Sequence, residues 1–202
     1  MPGRLYLTTP VARIAEWMGA DAAGLDVPPR LNIAPGEEVL VCGADRRLVP
    51  MRWGMIPVGR VNARGRPVME TIINARSETV FDKSAFEGVQ RALVPADGWY
   101  EWTGERRRKT AWRLSAMDGA PLAFAAISDL WRGTTGREVA QVATVTCEPN
   151  AEVREIHHRM GVLLRPGQFE AWLTGSEYEA RALCQPFPDG GIRIEEVPDP
   201  GG

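Results

Sequence analysis

The stretch VPADGWYEW, residues 94–102, joins two predicted strands across one tight turn and places an acid among aromatic rings. Side chains alternate along a strand, so Trp99 and Glu101 share one face while Tyr100 and Trp102 share the other. A carboxylate beside an indole loses hydration, which raises its pKa and suits it to proton transfer. The same pattern fits a solvated strand residue or a partner of an arginine, so this stretch alone leaves the role of Glu101 open.

The composition indicates a globular protein. Its 202 residues fit one domain with a full core, and 44% hydrophobic with 25% charged residues is usual for soluble proteins. No window holds the roughly 18 uncharged apolar residues that cross a bilayer, and the amino terminus lacks a signal-peptide pattern. We therefore expect a cytoplasmic protein without a membrane partner.

Cysteine and histidine spacing argues against a metal centre. Cys42, Cys147 and Cys184 are odd in number and lack a CxxC spacing, so neither a disulfide framework nor a structural zinc site is expected. His157 and His158 are adjacent and lack the HxxxH or HExxH spacing of metal ligands. In extended backbone their rings would point to opposite sides, so only one would enter a given pocket. We expect no metal and no cofactor.

The charge pattern is informative about nucleic acid. A net charge of −2 argues against indiscriminate binding to phosphates. Of the 24 lysine and arginine residues, however, only Lys83 and Lys109 are lysines. The planar guanidinium of arginine suits bidentate contact with phosphate or carboxylate, although GC-rich coding would produce the same bias. A local basic groove is compatible with this composition.

The order of predicted elements favours an α+β fold, with a mostly antiparallel sheet and helices at its margins. A strand at 5–7 precedes a helix that starts after the Thr8-Thr9-Pro10 cap and ends at Gly19. Further strands are predicted at 38–42, 47–53, 92–95, 98–102, 111–115, 122–130, 139–146 and up to residue 164. Short helices are predicted at 84–90, 150–155, 166–173 and 177–183. A long surface loop is expected at 57–70, a basic hairpin tip at 104–109 and a frayed tail at 198–202.

The short motifs of this sequence disfavour some enzyme classes and favour one family. GxSxG, GxxxxGK[ST] and GxGxxG are all absent, which disfavours nucleophile-elbow hydrolases and phosphate-cradle folds. Five other motifs occur in order: NIAP (32–35), MRWGMIP (51–57), INARSET (73–79), LVPADGWYEW (93–102) and IHHRM (156–160). Taken together, they resemble the SRAP family, the SOS-response-associated peptidase-like proteins that process abasic sites. The resemblance extends from residue 1 to about residue 175.

The resemblance implies a single SRAP-like domain over residues 1–202, with a motif-bearing core at 1–175 and a C-terminal helix and tail at 176–202. It further implies an antiparallel, barrel-like sheet with peripheral helices. The implied partner is single-stranded DNA with an abasic site, bound in a positively lined groove, in a DNA-damage response. We expect the protein to act as a monomer.

The resemblance also implies roles for individual residues. In the family, the initiator methionine is removed, and a cysteine at residue 2 attacks the ring-opened aldehyde of the abasic site to form a thiazolidine. By this resemblance Asn74 would orient residue 2 and the sugar, Glu101 would shuttle protons, and His157 would assist ring opening and Schiff-base formation. Phosphate contact or stacking against the neighbouring nucleotide would come from Arg4, Trp53, Arg76 and Arg159.

This sequence departs from the family at the nucleophile. Residue 2 is Pro2, so there is no thiol beside the terminal amine and thiazolidine formation is excluded. Three milder departures are Ala92, Ala126 and Gly161, where the family often has cysteine, glycine and proline, respectively.

Pro2 leaves three functions open. Removal of Met1 would give Pro2 a secondary amine that can form a reversible Schiff base with an abasic-site aldehyde, followed by β-elimination. With Met1 retained, Pro2 carries no amine, and a non-catalytic single-stranded DNA-binding module remains. The third function is a peptidase acting on its own N-terminus or on another peptide. Whether the protein is an enzyme is therefore open at this point.

Overall fold

The computed structural model describes residues 2–22, 24–57, 71–105, 108–133 and 136–201, and strands dominate it. In chain order the strands are β1 (Leu5–Leu7), β2 (Arg30–Ile33), β3 (Glu38–Cys42), β4 (Leu48–Trp53), β5 (Asn74–Arg76), β6 (Gln90–Ala96), β7 (Gly98–Glu105), β8 (Arg108–Ala116), β9 (Leu122–Arg132), β10 (Glu138–Cys147), β11 (Met160–Gly161), β12 (Leu163–Leu164) and β13 (Ile192–Val197). The helices are α1 (Val11–Met18), α2 (Ala151–Arg154), α3 (Phe169–Leu173) and α4 (Glu177–Ala182), with 3₁₀ turns at Ser84–Phe86 and Pro166–Gln168.

Five strands close into a barrel, in the order β10, β4, β3, β6, β9 and back to β10. The β10–β4 pair is parallel, and the other pairings of the ring are antiparallel. Strand direction reverses at every antiparallel pairing, so a ring with an odd number of strands closes only if it includes a parallel pair. The predicted α+β class, with a mostly antiparallel barrel-like sheet and peripheral helices, is confirmed.

A second sheet, in the order β13, β8, β7, β1 and β2, is antiparallel throughout. The chain passes from the barrel into this sheet at Asp97, between β6 and β7. The Asp97 carboxylate accepts hydrogen bonds from the amide and hydroxyl groups of Thr8 and Thr9. The two threonines therefore tie β1 to the turn. Their prediction as a helix cap was wrong, because Pro10 is the N-cap of α1 and no side chain caps the helix.

The core draws its largest side chains from both sheets and from α3. Trp53 of β4, Trp99 of β7, Phe124 of β9 and Trp172 of α3 are fully buried. Trp99 and Phe124 meet edge to face, with ring centroids 5.7 Å apart and planes inclined by 84°. This contact joins the second sheet to the barrel wall, and Glu101 lies on the same strand face as Trp99.

Three local predictions differ from the structure. The helix predicted at 84–90 is one 3₁₀ turn, since Gly88 has a positive φ of 76° and Gln90 already begins β6. β13 was not predicted, yet it pairs with β8 over six residues. The predicted frayed tail is bonded to β2, because Asn32 Nδ2 donates to the carbonyl oxygens of Pro200 and Gly201, at 3.2 and 2.7 Å.

Two other predictions fall wholly or partly on undescribed residues. Most of the loop predicted at 57–70, namely residues 58–70, and residues 106–107 of the hairpin tip lie outside the described ranges. Among the described helices, none is long and apolar enough to cross a membrane.

Candidate functional site

The candidate site is built around Pro2, which is buried between β5 and β11. The Pro2 carbonyl oxygen accepts a hydrogen bond of 2.9 Å from Asn74 Nδ2. Asn74 begins β5 and lies opposite Thr144 of β10 in parallel register, and the Thr144 hydroxyl donates to Asn74 Oδ1 at 2.5 Å. A methyl group on Gly161 would lie 3.7 Å from Pro2 Cγ, so β11 passes close to the proline ring.

Gly161 is required here by close packing. Its φ is not positive, but an added Cβ would lie 2.5 Å from the Phe124 ring, well inside van der Waals contact. Phe124 is itself fully buried against Trp99. Gly161 therefore lets β11, the Phe124 ring and Pro2 approach one another.

The N-terminal segment then runs antiparallel to the strand that carries Glu101. Leu5 pairs with Trp99, and the Tyr100 amide donates to the Arg4 carbonyl oxygen at 3.0 Å. This pairing carries residues 2–4 along β7 toward Glu101. The sequence motifs that contain Asn74 and Glu101 are thus brought to the same short segment of chain.

Glu101 is buried, with 5% of its surface exposed. Burial raises the pKa of its carboxyl from 4.5 to about 7, because the ionised form loses hydration in the protein interior. The alternative of a solvated strand carboxylate is therefore wrong. Near neutral pH, Glu101 exists in both its acid and its carboxylate form, which is the condition for giving and taking protons.

His157 is half-buried at the end of the segment that follows α2. Burial lowers the pKa of its imidazole to about 4, so the ring is neutral at pH 7. His157 Nδ1 lies 3.0 Å from the Arg159 amide nitrogen, which can donate to it, and 3.1 Å from the Arg159 carbonyl oxygen, which can accept from it. The His157 and His158 rings stack with centroids 4.3 Å apart. These residues lie outside the strands, so the opposite placement expected for extended backbone does not apply.

Glu78 is a neighbouring residue that the sequence analysis did not single out. The Arg159 guanidinium donates to both Glu78 carboxylate oxygens, with Nη2 at 2.8 Å, and Nη2 also donates to the Thr146 carbonyl oxygen at 2.7 Å. This arginine holds the pKa of Glu78 at about 2. The available signal was a carboxylate within INARSET, the same motif as Asn74, but nothing local to that motif indicated its partner.

The remaining predicted ligands occupy different environments. Arg76 is exposed on β5, and Arg4 is half-buried. Trp53 is fully buried, and its indole N–H donates to the Ile73 carbonyl oxygen at 3.0 Å, so its ring lies in the core and not on the accessible surface. Arg159 is 8% exposed with its guanidinium engaged by Glu78. Within the described ranges, no cluster of three or more His, Cys, Asp or Glu side chains could hold a metal ion.

The fold and these contacts define a class of protein: a closed five-stranded barrel with a second sheet, and a buried acid beside the N-terminal segment. The family model described as "SOS response associated peptidase (SRAP)" matches residues 1–200, and the chain belongs to this family. The resemblance inferred from the five motifs is therefore confirmed.

Relatives from bacteria and vertebrates are similar to this chain. Abasic site processing protein YoaM of Bacillus subtilis is 33% identical over 180 residues, covering 84% of this chain and 78% of the relative. Abasic site processing protein YedK of Escherichia coli is 31% identical over 154 residues, covering 71% and 64%. Abasic site processing protein HMCES of Gallus gallus is 28% identical over 177 residues, covering 71% and 51%.

Solved structures are similar over nearly the whole chain. A Bordetella bronchiseptica protein solved by X-ray crystallography has a TM-score of 0.82 at 25% identity, covering 97% of this chain and 99% of that one. A Bacteroides thetaiotaomicron protein has a TM-score of 0.83 at 21% identity, covering 98% and 92%, which shows the shared fold.

Proposed function

We propose that the protein recognises abasic sites in single-stranded DNA as part of a DNA-damage (SOS) response, and that Pro2 forms a reversible Schiff base with the ring-opened sugar. The observation that carries this proposal is the bond from Asn74 to the Pro2 carbonyl, since it anchors residue 2 in the same site as an acid of near-neutral pKa. Relatives named abasic site processing proteins support the choice of substrate.

The chemistry follows from a secondary amine. After removal of Met1, the Pro2 nitrogen attacks the C1′ aldehyde carbon. The carbonyl oxygen takes a proton and the nitrogen loses one, giving a neutral carbinolamine. The carbinolamine hydroxyl takes a proton and leaves as water, and the nitrogen lone pair forms the C=N bond of a cationic iminium. Proline has no second N–H to lose, so the adduct stays cationic. Water can reverse the sequence, or a base can remove a C2′ proton while the 3′-phosphate leaves by β-elimination.

The titrating groups of the site suit these proton transfers. Protonated Glu101 would give a proton to the departing hydroxyl, and its carboxylate would take the proton back in hydrolysis. Neutral His157 would accept a proton from the attacking amine or from C2′. Burial keeps Glu101 titratable near neutral pH and keeps His157 neutral, and these are the protonation states that the two roles use.

We assign phosphate contact to Arg4 and Arg76. Arg76 is exposed on β5 two residues after Asn74, and Arg4 is half-buried two residues after Pro2, so both arginines are near site residues along the chain. Arg159 contributes through Glu78 and His157, since its guanidinium is already engaged, and Trp53 supports β4 from the core. The protein would act as a cytoplasmic monomer, with one site per chain.

A second candidate function is a non-catalytic binder of single-stranded DNA. The observation that favours it is the absence of a thiol at residue 2, which removes the group that would make an adduct permanent. Such a protein would keep salt-sensitive binding to the phosphate backbone and form no covalent species.

Borohydride trapping distinguishes Schiff-base formation at abasic sites from non-catalytic binding of single-stranded DNA. The intact mass first establishes that Met1 has been removed, and the processed protein is then incubated with an oligonucleotide carrying one abasic site, with and without borohydride. We expect an adduct with the combined mass of protein and DNA only after reduction, and none with protein whose terminal amine has been acetylated. Salt-sensitive binding without an adduct would contradict the Schiff-base chemistry and support the non-catalytic binder. If the protein does not bind the DNA at all, the assignment to DNA is wrong.

A further inference from the structure

Thr144 is a buried polar residue that the proposed chemistry does not use. It lies on β10 with no exposed surface, in register with Asn74 of the parallel neighbour β5. Its hydroxyl lies 2.5 Å from Asn74 Oδ1 and 3.4 Å from the Ile73 carbonyl oxygen. A buried hydroxyl needs such a partner, because leaving it without one costs free energy.

The direction of the hydrogen bonds is fixed by the Pro2 carbonyl. A carbonyl oxygen only accepts, so the Asn74 atom 2.9 Å away is the amide nitrogen. Asn74 Oδ1 must then face Thr144, and because this oxygen also only accepts, the Thr144 hydroxyl is the donor. The three groups form a chain with a single polarity, from the Thr144 hydroxyl through the Asn74 amide to the Pro2 carbonyl.

We propose that Thr144 is a positioning residue for residue 2. Its hydroxyl holds the Asn74 amide in the one orientation that can bond the Pro2 carbonyl. Without this donor, the amide can turn by 180° and place Oδ1 opposite the Pro2 carbonyl oxygen, where two acceptors repel each other. Residue 2 would then lose its tether, and its amine would sample more directions around the aldehyde.

The position of Thr144 gives this role a rigid base. β10 pairs with β4, β5, β9 and β11, so the hydroxyl is carried by the most extensively paired strand of the barrel. Thr144 itself pairs with Ala126 of β9 on its other side. Groups held by paired strands keep their geometry better than groups on loops. Through its hydrogen bond to Asn74, Thr144 thus connects residue 2 to a well-paired strand of the barrel.

The inference rests on the proposed function only for its kinetic consequence. Its structural part is the state of the Asn74 side-chain amide, which is observable in the free protein. Thr144→Val removes the hydroxyl and keeps the branched shape, while Thr144→Ser keeps the hydroxyl. Thr144→Ser and Thr144→Ala differ from each other by the hydroxyl alone. If Thr144→Val does not fold, these two variants are compared with each other.

NMR of the Asn74 side-chain amide provides the first readout. We expect this resonance to be protected from solvent exchange in the wild type and in Thr144→Ser, and to lose protection by roughly tenfold in Thr144→Val or Thr144→Ala, the size of one hydrogen bond. Equal protection in all variants would overturn the proposal, as would loss of protection in Thr144→Ser.

Borohydride trapping provides the second readout. At saturating abasic DNA, Thr144→Val should form adduct roughly three- to tenfold more slowly, with the dissociation constant for DNA unchanged within about twofold, because the residue touches no substrate. An unchanged rate, or an effect on binding alone, would contradict the positioning role. If the wild type forms no adduct, the Schiff-base proposal fails, and the amide measurement still decides the role of Thr144.

Discussion

Glu101 and Glu78 are the same chemical group in two regions of the molecule, and their pKa values are shifted in opposite directions. Glu101 is 5% exposed, and burial raises its pKa from 4.5 to about 7. The Glu78 side chain is 49% exposed beside Arg159, and that arginine lowers its pKa to about 2. The loss of hydration on burial raises the pKa of Glu101, and the bidentate contact with the Arg159 guanidinium lowers the pKa of Glu78.

The opposite pKa shifts suit the two glutamates to different roles. Glu101 can exchange protons at neutral pH but is poorly accommodated as an anion, whereas Glu78 is a permanent anion that holds a buried arginine. Arg159 in turn donates its amide to His157, so the Glu78 pair supports the orientation of the imidazole. In the proposed mechanism, Glu101 would transfer protons, and Glu78 would hold Arg159 in place.

Replacing the buried acid tests the contrast most severely. Glu101→Gln keeps the shape and removes the titrating proton, so we expect borohydride trapping of abasic DNA to slow by roughly 100-fold or more. The fold should be retained, because a neutral amide is easier to bury than a carboxylate. Rates are measured in single-turnover trapping, with Glu177→Gln, which changes an exposed acid of α4 outside the site, as the control. A wild-type rate in Glu101→Gln would remove Glu101 from the chemistry.

The pH dependence of stability tests the raised pKa directly. The folded protein favours neutral Glu101, so its contribution to stability is complete below pH 4.5 and is lost as pH rises through about 7. The wild type should therefore lose up to about 3 kcal/mol across this window relative to Glu101→Gln. Urea unfolding of both proteins at pH 4.5, 6 and 8 measures the difference. Parallel stability curves would show that Glu101 is not desolvated.

Replacing Glu78, which pairs with Arg159, should change the stability with the opposite pH dependence. Glu78→Gln leaves the buried Arg159 without its anion, and we expect a loss of roughly 1 kcal/mol at pH 7, reduced because Glu78 is half-exposed. This stabilisation is present above pH 4.5 and is lost as pH falls through about 2, so the two proteins should converge in acid.

A control for that prediction lies on α4. Glu177 pairs with Arg181 one helical turn away, and the two side chains are 61% and 39% exposed. Glu177→Gln should change the free energy of unfolding by less than about 0.5 kcal/mol, as exposed helical pairs do. Equal effects of Glu78→Gln and Glu177→Gln in urea unfolding would show that the Arg159 pair is merely a surface contact.

Several contacts join residues that are far apart in the sequence, so no local sequence pattern predicts them. Arg159 and Glu78 are 81 residues apart in the chain, and Thr8 and Asp97 are 89 apart. β13 has alternating residues, but its place was determined by β8, which offered an unpaired edge beside it. Trp53 lies in a motif with arginine and glycine, and only the closed barrel shows that its ring is buried.

The sequence by itself determined the alternation that puts Glu101 beside Trp99, the helix at 11–18, the family, and the absence of a thiol at residue 2, since these depend on neighbouring residues or on ordered motifs. Only the tertiary structure decided that Asn74 bonds Pro2, that Thr144 orients Asn74 and that Glu78 holds Arg159. The physical reason is that pKa values and hydrogen-bond partners depend on which distant strands meet when the barrel closes.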